Sequence, residues 1–131
     1  MTAERDLTLV LDVGKTRAKL LLIDAAGQAL AQTDCDNQST EAPQGYTALG
    51  VGRLQAWCVQ AVQAWAPDLR ARVARLITST HGAAFCGLGA QADAQWRDGG
   101  LALPPMDYEW DGHAALRAAE RHELDDFAST G

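Results

Sequence analysis

Residues 9–24, LVLDVGKTRAKLLLID, place an acid, a glycine, a threonine and three cations between two apolar runs. A turn between two strands exposes backbone N–H groups, and glycine lets that backbone approach a ligand closely. The Asp12-Val13-Gly14-Lys15-Thr16 turn can therefore cradle a phosphate. The chain carries a formal net charge of -6, yet its only two lysines, Lys15 and Lys19, both fall in this stretch. Asp12 is badly placed against phosphate alone, but suits a hydrated magnesium ion that travels with a nucleotide. Acid and cations would then share one ligand. The bland alternative is a tight hairpin with Asp12 capping the turn and the cations solvated; the clustering of both lysines favours the ligand site.

Two other phosphate chemistries fail on these residues. Gly14-Lys15-Thr16 imitates the end of a P-loop, but that motif requires a glycine where Leu9 stands, and it opens a helix, whereas Ala18 to Ile23 is β-like. A two-metal nuclease begins with an acid on its first strand but needs further carboxylates; residues 47–66 and 74–80 contain none. The net negative charge also disfavours nucleic acid as a partner. No apolar stretch approaches the ~20 residues of a membrane span, and the N-terminus lacks the basic start and apolar core of a secretion signal, so a cytoplasmic location is expected. Cys35, Cys58 and Cys86 are odd in number and widely spaced, which predicts reduced thiols acting as small buried hydrophobes.

The elements that must position this turn are legible in outline. At 131 residues, 47% hydrophobic and 21% charged, the chain has the size and composition of one globular domain. Residues 7–13, 18–24 and about 28–35 read as a three-strand antiparallel meander, and Asp36 to Gly45 as a loop. Leu54, Trp57, Cys58, Ala61, Val62 and Trp65 recur at helical spacing, predicting an amphipathic helix at 47–66 whose two tryptophans are core and which Pro67 stops. Leu76 to Thr80 reads as a strand reached from that helix and so parallel to an earlier one. Beyond it, STHGAAFCGLG predicts a turn, a short strand and another turn, with 94–96 pairing back; Pro104-Pro105 predicts an extended piece, and 112–123 a short helix. The order βββαβ implies an α/β fold with a mixed sheet.

With these segments in place the chain resembles the FGGY carbohydrate kinases of the actin-like ATPase superfamily, which share the ribonuclease H-like fold. LVLDVGKTRAKLLLIDAAGQ is similar to their N-terminal phosphate loop, ITSTHGAAFCGL (77–88) to their first sugar-contacting segment, and LPPMDYEWDG (103–112) to the stretch after it. The resemblance implies that Asp12 faces magnesium and the phosphates of ATP. Gly14, Lys15 and Thr16 would turn around the γ-phosphate, and Lys19 would touch the transferred group. It also implies that His81 and Gly82 lie in a sugar pocket whose hydroxyls Asp107, Tyr108 and Glu109 can reach. Lys15 departs from the small hydroxyl residue usual in many members.

Those kinases have two lobes, so residues 1–131 correspond to an incomplete first lobe. The adenosine-binding lobe and the proton-accepting carboxylate are absent, and no residue here is expected to be catalytic. The intact protein would phosphorylate a sugar such as a ketose or polyol with ATP and magnesium, while the chain alone would be silent. Alternatives are another actin-like ATPase or kinase, or a non-catalytic module that self-assembles into a homo-oligomer. Trp96 and Trp110 are candidates for stacking on a sugar; His113 and His122 read as surface residues, and Asp125 and Asp126 as solvated acids.

Overall fold

The computed structural model describes residues 4–82, 84–89, 101–112, 114, 115 and 118. A four-stranded mixed sheet organises the chain, formed by β1 (Leu7–Val13), β2 (Arg17–Ile23), β3 (Ala29–Asp36) and β6 (Val73–Thr80) in the order β3-β2-β1-β6. β1 pairs antiparallel with β2 and parallel with β6, and β2 pairs antiparallel with β3. The α/β mixed sheet with its helix is as the sequence implies. The strict βββαβ order is not: two short strands form a hairpin, β4 (Ser39–Glu41) where a loop is expected and β5 (Thr47–Leu49) where the helix at 47–66 is expected to begin, so that helix starts at Val51, and a second helix follows the first. Gly45, at φ 84°, supplies the left-handed turn residue that closes this hairpin, its N–H donating to Ala42 O at 2.9 Å.

Alternation along β1 and β2 decides which face is covered. Leu9, Leu11 and Val13 stand opposite Leu22, Leu20 and Ala18, and Leu7, Ala18, Leu20 and Leu22 are buried. Burying each large side chain contributes about 1.5–3 kcal/mol, so this row is the chief hydrophobic contribution of the sheet. Residues between them, Asp12 and Lys19 included, point to the other face. The helix α1 (Val51–Ala64) packs against β2, but none of its residues is fully buried. Trp57 and Trp65, expected as core, are half-buried. The apolar stripe is present; what covers it is only one sheet face, not a surrounding core. Burial pushes the Cys58 and Cys35 thiols up; both are half-buried and Cys86 is exposed, so the expectation of three buried thiols is corrected, and all three are free.

Pro67 acts twice. The residue before a proline is driven out of the helical region; Ala66 sits at ψ 137°, continuing the extended backbone that begins at Trp65, ψ 153°, just past the end of α1. The proline then occupies the first turn of α2 (Pro67–Ala71), where its missing N–H costs nothing. From α2 the chain enters β6, held at its base by Arg72, whose Nε and Nη2 donate to the Asp6 carboxylate at 2.9 and 2.6 Å.

A smaller cluster of Ala42, Tyr46 and Ala48 with Trp110 against it sits beside the sheet. It docks the last described segment. Leu49 N donates to Pro105 O and Asp107 N to Thr47 O, each at 2.8 Å, and the Tyr46 hydroxyl donates to Pro104 O at 2.7 Å. β7 (Gly87–Leu88) pairs with β8 (Leu101–Leu103); the pairing expected from 94–96, most of the helix at 112–123, Trp96, His113, His122, Asp125 and Asp126 lie outside the described residues. No helix among the described residues is long and apolar enough to cross a membrane.

Candidate active site

The β1–β2 turn is tight because Gly14 N donates to Arg17 O at 2.9 Å. A Cβ added at Gly14 would lie 2.9 Å from that same carbonyl oxygen, closer than carbon and oxygen tolerate. Gly14→Ala is therefore expected to open the turn and lower stability by about 1–3 kcal/mol, read as a fall in the midpoint of chemical denaturation. Asn37 clamps the turn from β3's end. Its Nδ2 donates to Gly14 O at 2.9 Å, and its N–H donates to Thr16 O at 2.9 Å. The sequence offered no sign of this clamp.

Register builds a polar row across the open face of the sheet. Lys19 stands opposite Asp34 on one side and Asp12 on the other, and Asp12 is level with Ser79 of β6. Arg17 takes up the acids of β3, with Nη1 3.3 Å from Asp34 and Nη2 3.5 Å from Asp36. No ion pair among the described residues engages Asp12 or Lys19. A carboxylate and an ammonium at adjacent register positions, next to a turn with Thr16 exposed at its tip, suit a ligand carrying both metal and phosphate. No group of three or more His, Cys, Asp or Glu residues among those described can hold a metal. A single carboxylate such as Asp12 could serve magnesium only as one ligand of a largely hydrated ion.

Lys15 goes elsewhere. Its Nζ lies 3.3 Å from Asp107 Oδ1, contacts Glu109 Oε2, and stands 4.9 Å from the centre of the Tyr108 ring. Asp107 also accepts from Ser39 Oγ at 2.8 Å and from Glu109 N at 3.0 Å, and the Tyr108 ring meets the edge of His81 at 5.6 Å between centroids. His81 itself follows β6, its N–H donating to Val13 O at 3.4 Å. Thus Lys15, His81, Asp107 and Glu109, read as separate candidates, converge in one cluster, to which the structure adds Ser39. Gly82 lies exposed beside it, with open space around its Cα. Trp110 packs its ring against Tyr46 at 6.1 Å, serving the small core.

The bond to Glu109, and after it that to Asp107, raises the Lys15 ammonium above the ordinary lysine value. Asp107 is held below the usual carboxylate range, first by the Glu109 N–H and then by Ser39 and Lys15, against the cost of burial. A depressed folded-state pKa stabilises the fold above the unfolded value and is lost as pH falls through the folded one. Stability should accordingly decline as pH drops below about 4, and Asp107→Asn should flatten that decline in denaturation curves taken between about pH 5 and 3.

No protein-family profile matches this sequence, and no curated protein does. Solved structures match it well. A carbohydrate kinase from Novosphingobium aromaticivorans superposes with a TM-score of 0.66 at 25% identity, over 91% of this chain and 24% of its own. A ligand-bound xylulose kinase from Lactobacillus acidophilus gives 0.60 at 17% identity, and a gluconate kinase from the same organism 0.58 at 18%, each over 87% of this chain and 22% of its own. The chain thus spans about a quarter of the length of the structures it matches, and over most of its own length it has the fold of carbohydrate kinases.

Proposed function

We propose that this chain is the phosphate-turn segment of the first lobe of an FGGY-type carbohydrate kinase, and that the whole protein transfers the γ-phosphoryl group of ATP to a hydroxyl of a ketose or polyol in the cytoplasm. The single observation that carries the proposal is the juxtaposition, on the kinase fold, of the Asp12–Lys19 row with the clamped Gly14 turn. Asp12 would hold the magnesium of the nucleotide, and that ion would neutralise charge on the transferred group. Gly14, its own N–H held by Arg17 O, would shape the turn so that Lys15 and Thr16 present their N–H groups to the γ-phosphate, and Lys19 would bear on its oxygens. His81, Gly82, Asp107 and Glu109 would line the sugar side.

Phosphoryl transfer relies on positioning and charge stabilisation within a closed cleft. With about a quarter of the fold, the chain by itself should show no sugar-dependent ADP release in a coupled assay with ketoses, polyols and aldoses. Turnover above the no-sugar background would refute this. A second reading, a self-assembling module, is favoured by β6, whose outer edge is unpaired among the described residues and whose Leu76 and Ile77 are exposed. Sedimentation mass rising with concentration would support it, and a constant monomer mass would dismiss it.

A further inference from the structure

The charge state of the Lys15 cluster bears on which sugars the proposed pocket accepts, and the inference rests on that reading. A kinase acting on a sugar acid needs a cation free to meet the substrate carboxylate. The fold itself does not choose, since it is shared with a xylulose kinase and a gluconate kinase. In this cluster the one ammonium already serves two carboxylates, Asp107 and Glu109, leaving an excess of one negative charge. The Lys15 side chain is 19% exposed and that of Asp107 7%, so an incoming anion would meet a partly desolvated, anionic surface, where like charge is repelled most strongly.

Hydroxyl groups find the opposite conditions. Glu109 is exposed and can accept from a diol. His81 Nδ1 is buried and has no hydrogen-bond partner; a buried polar atom left without one is costly unless a ligand completes it. The ring lines a largely apolar cleft of about 310 Å³, with Leu11, Val13, Leu54 and Phe85 among its walls, at the small end of the range for ligand sites. Lys15, Asp107 and Glu109 do not line it, and their cluster adjoins it through the contact of Tyr108 with His81.

We infer that Lys15, through its two carboxylate partners, is a specificity-determining residue that commits the pocket to uncharged polyhydroxy substrates and excludes aldonates. Its position in the turn makes it resemble a phosphate ligand, but its bonds assign it to the sugar side.

The test uses the 131-residue chain at pH 7 and follows backbone amide resonances on titration with D-xylulose and with D-gluconate. Xylulose should shift Lys15, Ser39, His81, Tyr108 and Glu109, with gluconate about tenfold weaker or silent there. Glu109→Gln, at an exposed position that folding tolerates, removes one negative charge and frees part of the ammonium. It should strengthen gluconate binding by about tenfold, as one charge-assisted hydrogen bond allows. Gluconate binding to the unaltered chain as tightly as xylulose, or neither sugar moving these residues, would overturn the inference. Titration with magnesium and a non-hydrolysable ATP analogue is read on the amides of residues 12–14 and 16–19, which the sugar titration does not use, so failure of the sugar inference and failure of the kinase reading give different spectra.

Discussion

Leu20→Ala is expected to destabilise the chain by about 2–5 kcal/mol, a large part of the 5–15 kcal/mol that a domain of this size commands. Leu20 is 1% exposed and stands between Leu11 and Thr33 on the covered face of the sheet, so truncation leaves a cavity that the paired strands cannot collapse to fill. Urea denaturation should move its midpoint down by roughly 1–2 M. Leu76→Ala is the matched control. That leucine is 63% exposed on β6, and its loss should cost less than about 1 kcal/mol. Leu76 is level with Leu9 and so shares Leu20's face of the sheet; equal effects at the two sites would contradict the difference in burial between them.

On the proposed kinase reading, Asp12→Asn in the whole protein should lower kcat by on the order of 10²–10³, the scale of losing one electrostatic contact to the transferring group. The amide keeps the size and a hydrogen-bonding oxygen but loses the charge that draws the metal. Because no ion pair among the described residues joins Asp12 to the Lys15 cluster, KM for the sugar should change little while kcat and the magnesium requirement change greatly. A matching rise in the sugar KM, with kcat intact, would place Asp12 on the substrate side instead.

Local pattern carried much of this fold. The β-rich residues 7–13 and the apolar run at 18–24 located β1 and β2, and the helical spacing from Leu54 to Trp65 located α1, because both signals are set within a few residues. The β4–β5 hairpin escaped notice because Ser39–Glu41 has no apolar alternation; its pairing is supplied by β5 and by the segment around Met106. Leu76 and Ile77 look like core by type, yet burial depends on what lies across the sheet, and that is not written in the strand. Among candidate site residues, the turn was legible from composition. The partners of Lys15 were not: Asp107 and Glu109 lie at the opposite end of the chain, brought in by Thr47, Pro104 and Pro105 contacts that no spacing rule encodes. The Asn37 clamp was hidden for the same reason, as an asparagine after a strand has many ordinary uses.

The central proposal is that the bend between β1 and β2 seats the terminal phosphate of ATP with its metal. A crystal structure of the whole protein with magnesium and a non-hydrolysable ATP analogue tests it directly. The account predicts the backbone N–H groups of Lys15 and Thr16 directed at the γ-phosphate and the Asp12 carboxylate on the metal's side of it, directly or through water. A nucleotide bound with its phosphates remote from this bend would contradict it.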